Sequence, residues 1–275
     1  MSLFTVFGAA GFIGSSLVAH LRERGHEVSS LKREQWPAPA TDLGHVIYAI
    51  GLTADFRSRR LDVADAHVHL LTRILREYRF DSLLYLSSTR VYAGGASSAE
   101  DAALSISPLD ADHLYNVSKI MGESLVLSDG NARARVARLS NVIGAKDRSE
   151  NFLNAVITEA IANGRVMFRT APDSARDYLG VADACRMIAA ISSGGKGRIY
   201  NVARGENVSN ARIAQLLGAR NIEATFQPNA KSVTYPVIDV GAIRQEFGFS
   251  PASFEKNFDE LLAARKTIEK SIHPS

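Results

Sequence analysis

Tyr115 and Lys119 stand four residues apart in the stretch Leu114 to Leu127, where apolar residues recur at helical spacing, so both side chains project from one helix face. Their chemistry is complementary. A free phenol titrates near about pH 10 and is a poor base, but a neighbouring ammonium favours the phenolate and brings proton exchange toward working pH. The same spacing also serves ordinary surface pairs, so the neighbouring groups decide between the two. Upstream, the apolar run Asp81 to Ser87 gives way to Ser88 and Thr89, which place hydroxyls at the end of a strand.

A second group of residues suits an anion. Leu3 to Phe7, dominated by β-branched and aromatic side chains, runs into Gly8-Ala9-Ala10-Gly11-Phe12-Ile13-Gly14, and helical periodicity takes over from Phe12 to Leu21. In a strand, tight turn and helix, Gly8 permits the turn, Gly11 lets the backbone approach a pyrophosphate, and Gly14 lets the helix pack on the strand. Amides at the helix start, Phe12 and Ile13 among them, then point at the phosphates. Glycine also collects in turns for steric reasons alone. Here a second strand, Glu27 to Leu31, follows the helix and favours a dinucleotide site.

These residues must be held by a larger frame. Further apolar runs at His45–Ile50 and Asp81–Ser87 alternate with a helical pattern from Leu61 to Tyr78, which predicts an α/β fold with a doubly wound parallel sheet. The proline-containing bridge between Leu31 and His45 is too short for two crossovers and a strand, so the sheet is expected to lack one edge strand.

The 275 residues carry 32 basic and 29 acidic side chains with no long run of either sign, which argues against a nucleic-acid surface while suiting an anionic small substrate. Cys185 is the sole cysteine, and no apolar run reaches membrane-spanning length. A cytoplasmic location is expected. The histidines are scattered, and no metal site is expected.

Taken together, the glycine turn, Ser88 in Ser87-Ser88-Thr89-Arg90-Val91-Tyr92, and Tyr115-x-x-x-Lys119 resemble the short-chain dehydrogenase/reductase superfamily, in its extended branch of nucleotide-sugar epimerases, dehydratases and reductases. The likeness continues through Arg138 to Gly144, Arg176-Asp177-Tyr178, Arg198 to Val202 and the tail beginning at Asp239. It implies a Rossmann domain at 1–145 with a returning segment 180–203, and a smaller substrate lobe from 146–179 and 204–275.

The resemblance further implies that Tyr115 is the acid/base, Lys119 holds the nicotinamide ribose and tunes the tyrosine, and Ser88 bonds the reacting oxygen. Thr89, Asn141 and Arg176 fall where substrate contacts occur, with Arg176 suited to phosphate. The implied activity is hydride transfer on a nucleotide sugar, as a keto-sugar reductase. The alternatives are an epimerase retaining NAD and a non-catalytic dinucleotide-binding regulator. Family dehydratases carry an acidic pair where this chain has Thr89 and Arg90, so 4,6-dehydration is not expected.

NAD users place an acid at the end of the second strand to bond the ribose hydroxyl, but this chain has Lys32 and Arg33, cations suited to a 2′-phosphate. NADP is therefore favoured over NAD. The expected partner is the nucleotide-sugar substrate, with a homodimer left open and neither nucleic acid nor membrane involved. Two departures from the family stand out. His67 replaces a usual asparagine, and the absent edge strand removes part of the adenine wall, for which Asp42-Leu43 is the expected substitute.

Overall fold

The structure, a computed structural model, describes residues 1–31, 36–52 and 56–272. The chain begins with β1 (Leu3–Phe7), α1 (Phe12–Glu23), β2 (Glu27–Leu31) and β3 (His45–Tyr48). It continues through α2 (Arg60–Ala64), a π-helical turn (Asp65–His69), α3 (Leu70–Glu77), β4 (Ser82–Ser88), a 3-10 turn (Thr89–Tyr92), α4 (His113–Ser128) and β5 (Ala134–Leu139). Then come β6 (Asn141–Ile143), α5 (Phe152–Asn163), β7 (Arg165–Phe168), β8 (Ala175–Gly180), α6 (Val181–Gly194) and β9 (Ile199–Val202). The last elements are β10 (Asn207–Ser209), α7 (Asn210–Gly218), β11 (Glu223–Phe226), α8 (Gly241–Phe247) and α9 (Phe254–Ile272).

Six strands form a parallel sheet in the order β2-β1-β3-β4-β5-β9. Because helices cover both faces, the central strands β4 and β5 are buried along nearly their whole length; β4 reads as a continuous apolar run from Leu83 to Leu86, whereas β5 buries Arg135 and Arg138 among its apolar residues. On one face α1 buries Gly14, Leu17, Val18 and Leu21, spaced at three, four and seven residues, and packs against α6. On the other face α3 contributes Leu71 and Ile74 to a core with Tyr48, Tyr85 and Val136. Among the described residues no strand lies beyond β2, as the short bridge predicts.

The helix expected from Leu61 to Tyr78 is interrupted. In the π-helical turn the Ala66 carbonyl accepts the Tyr48 hydroxyl at 2.5 Å and the His67 carbonyl accepts that of Tyr85 at 3.2 Å. Phenols rising from β3 and β4 thus take carbonyls that a regular helix would engage itself, and the ladder shifts by one residue.

A second core gathers Ile143, Leu153, Phe168, Tyr178, Phe254 and Phe258 among α5, α7, α9 and two small sheets, β10-β8-β6 and β11-β7. Ile238, Val240, Ile243 and Phe249 do not join it. They fall in the stretch assigned from sequence to the lobe, yet they pack into the first core, with α8 against β9. Between the two cores, at the carboxyl ends of the large sheet's strands, lies the main cavity.

Candidate active site

The glycine turn fits a dinucleotide on steric grounds. Gly8 has φ of +85°, and a Cβ there would sit 2.7 Å from the Ala49 carbonyl; a Cβ on Gly14 would run into the Gly8 carbonyl oxygen. Behind the turn α1 begins with Gly11 as its N-cap, with no side chain capping it and no acid in its first turn. Its amides are therefore free to meet an anion in the cavity that Gly11, Phe12, Ile13 and Gly14 line.

That cavity, roughly 740 Å³, brings the glycine turn together with Ser88, Thr89, Tyr115, Lys119, Asn141 and Arg176. Gly8 lines an adjoining cavity of roughly 440 Å³ with Ala10, Leu31, Gly51 and Trp36. The expected substitute wall, Asp42-Leu43, is absent from it, because Leu43 is buried in the core and the Asp42 carboxylate accepts the Gly44 amide. Trp36 forms the wall instead, edge-on to Phe7 at 5.1 Å and with the Arg73 guanidinium 4.4 Å from its ring centre. Lys32 and Arg33 lie outside the described residues.

Tyr115 is buried at 4 % exposure, with its ring bounded by Phe56 at 5.6 Å, the edge of His67 at 5.3 Å and the Arg90 guanidinium at 5.5 Å. Four residues on, the Lys119 Nζ donates to the Leu86 carbonyl at 2.9 Å. Burial pushes its ammonium down to about 7, against partial support from Glu123. Glu123 itself is committed behind the lysine: it pairs with the buried Arg138 at 2.7 Å and accepts the Ser87 hydroxyl. Arg138 also donates to the Tyr92 hydroxyl, which donates on to Asn201, so β4, α4, β5 and β9 share one polar network.

His67 occupies an informative position. The Ser118 hydroxyl donates its one proton to the Tyr115 carbonyl at 2.8 Å, so it must accept at 2.8 Å from the His67 Nδ1–H. The His67 Nε2 in turn accepts the Leu52 amide at 3.2 Å. This fixes a neutral tautomer that ties the Ile50–Leu52 loop to α4, and burial, with the charge of Lys119, lowers its pKa to about 2.

Toward the lobe, Ser88 closes the 3-10 turn, its Oγ accepting the Arg90 amide at 3.2 Å, and Thr89 follows on the cavity wall. Asn141 donates to the Asp177 carbonyl at 2.8 Å while lining the cavity. Arg176 stacks 4.3 Å over Phe152, and its Nη1 is buried without a hydrogen-bond partner among the described residues. A buried guanidinium nitrogen facing a cavity without an acceptor fits an incoming anion. Sequence reading did not single out Phe56, Arg57, Arg90 or Tyr235 as site residues, yet all four line this cavity.

The family model described as NAD dependent epimerase/dehydratase family matches residues 4–68 and 40–203. A dTDP-glucose 4,6-dehydratase of Streptomyces griseus is 31% identical over 155 residues, covering 53% of this chain and 47% of its own; the match thus spans about half that relative's length. A dTDP-4-dehydro-6-deoxy-D-allose reductase of Streptomyces bikiniensis is 24% identical over 78% of this chain and 79% of its own. The structure of RMD from Pseudomonas aeruginosa complexed with NADPH superposes with a TM-score of 0.78 at 21% identity, covering 97% of this chain and 100% of that one. The six-stranded sheet, the glycine turn and a family match over most of the sequence converge: the chain belongs to the NAD dependent epimerase/dehydratase family.

Proposed function

We propose that the chain is an NAD(P)-dependent enzyme that reduces a keto group on a nucleotide-activated sugar, with NADP(H) as the preferred cofactor. One observation carries the reading: Tyr115, Lys119 and Ser88 share a single cavity with the glycine turn. The dinucleotide, when bound, supplies hydride chemistry at its nicotinamide. Phe12, Ile13 and Gly14 hold its pyrophosphate through backbone amides, Gly11, whose own amide bonds the Gly8 carbonyl, lets the backbone come close to it, and Lys119 holds its ribose. The Tyr115 hydroxyl delivers the proton to the developing sugar alkoxide, and the Ser88 hydroxyl bonds the same oxygen. Arg176 pairs with the substrate phosphates.

Dehydration is disfavoured by the residues at hand. Thr89 and Arg90 offer no carboxylic acid. Glu100 is engaged elsewhere, its carboxylate accepting the Asn201 amide and its carbonyl the Arg138 guanidinium. Asp55, the other nearby carboxylate in the sequence, lies outside the described residues. Incubation with NADPH and a panel of nucleotide-activated 4-keto and neutral hexoses, read by mass spectrometry, tests the proposal. A product heavier by two hydrogens with loss of NADPH is expected. A product lighter by one water, without net cofactor change, would overturn it.

A further inference from the structure

Two arginines flank one aromatic ring beside Tyr115, and only one is ion-paired among the described residues. The Arg57 and Arg90 guanidiniums lie 4.6 Å and 4.8 Å from the Phe56 ring centre. Arg57 makes a bidentate pair with Asp112, at 2.6 Å and 2.8 Å. Arg90, half-buried and lining the cavity, has no ion-paired carboxylate among the described residues. Asp112 also feels the charge of Arg90 from a distance, but both of its oxygens are bonded to Arg57, the main cause of its lowered pKa. The acids that share the cavity wall do not compensate Arg90 either. Asp177 accepts the amides of Arg204, Gly205 and Glu206, Asp147 accepts the side-chain amides of Asn151 and Asn154, and the exposed Glu150 makes no ion pair with Arg90.

Besides Lys119 and the paired Arg57, the cavity wall therefore carries two arginines with no ion-paired carboxylate among the described residues. Arg176 stands on the lobe side, where the nucleotide phosphates are proposed to sit. Arg90 stands at the other end, 5.5 Å from the Tyr115 ring centre, where the reacting hydroxyl or keto carbon of the sugar must lie within reach of the phenol. A guanidinium already stacked on two aromatic faces is orientationally fixed, and its planar fork matches a carboxylate. We propose that Arg90 selects a sugar bearing a carboxylate close to the reacting carbon, a nucleotide hexuronic acid rather than a neutral hexose. This rests on the nucleotide-sugar reading above.

The test separates the two. UDP, dTDP and GDP are titrated by calorimetry into the protein with dinucleotide present, and the nucleotide that binds is carried forward as its neutral hexose and its hexuronic acid, for example UDP-glucose and UDP-glucuronic acid. A desolvated, charge-assisted pair predicts roughly a tenfold to hundredfold tighter binding of the acid. Arg90→Gln should erase that advantage while binding of the nucleoside diphosphate alone persists, and Arg90→Lys should restore part of it. Equal binding of acid and neutral sugar by the wild type overturns the inference and leaves the nucleotide-sugar reading standing. So does an equal loss for both sugars in Arg90→Gln, which marks Arg90 as packing only. Binding of none of the nucleotides or sugars overturns both.

Discussion

Replacing His67 by glutamine should flatten the acid side of the stability profile. In the folded chain His67 is fully buried and neutral, with its pKa lowered to about 2 by burial and then by Lys119. In the unfolded chain it titrates near about 6.5. Between those values the unfolded state binds a proton that the folded state refuses, so this group's contribution is intact above about pH 6.5 and is lost as pH falls below it. From pH 7.5 to 5.0 the loss is about 2 kcal/mol, the logarithmic ratio of unfolded-state protonation at the two pH values multiplied by about 1.4 kcal/mol per unit. A carboxamide in its place cannot take up that proton. Urea denaturation of wild type and His67→Gln at the two pH values, at matched ionic strength, measures the difference. The variant starts less stable because the Leu52 amide and Ser118 hydroxyl lose their partner, but that offset cancels in the comparison. Parallel declines for wild type and variant would refute the reasoning, since they would mean that His67 protonates freely in the fold.

Three further outcomes concern the cavity. Tyr115→Phe should abolish most turnover while dinucleotide affinity, measured by calorimetry, stays nearly unchanged, because only the transferable proton is lost; unchanged turnover would reject its proposed role. Arg176→Ala should weaken nucleoside diphosphate binding about tenfold or more, the worth of a shielded charge-assisted pair, and equal affinities would place the phosphates elsewhere. Trp36 is the only tryptophan and walls the cavity beside Gly8, so its emission should change on dinucleotide binding. Titration by that signal should show tighter binding of NADPH than of NADH, and the reverse order would mean that Lys32 and Arg33 do not meet the ribose.

What the sequence disclosed follows from which constraints are local. β1 and the glycine turn were legible because an apolar run buried on both faces and a Cβ-free close approach each have few chemical solutions, whereas the half-exposed β2 shows in the sequence only by its place after α1. α4 was harder. It buries Tyr115, Ser118, Lys119 and Glu123 toward the sheet, so its inner face is polar and its orientation shows only in the spacing of tyrosine and lysine. The π-helical turn was not legible at all, since it depends on the hydroxyls of Tyr48 and Tyr85 arriving from other strands.

Arg90 marks the boundary most clearly. Its identity and its place after Ser88 and Thr89 stand in the sequence, and they suffice to say that no carboxylic acid is supplied there. Whether it is a neutralised surface charge or a cation held for a ligand depends on a counter-ion that any of the chain's 29 acidic residues could have provided, at any sequence distance. Arg57, with the same side chain beside the same ring, received Asp112 from 55 residues away and is spent on it. No pattern of hydropathy or spacing separates the two arginines, because pairing is decided where the loop after β3 and the start of α4 meet. Arg90, with no counter-ion among the described residues, carries information about the ligand, whereas the paired Arg57 carries information about the fold.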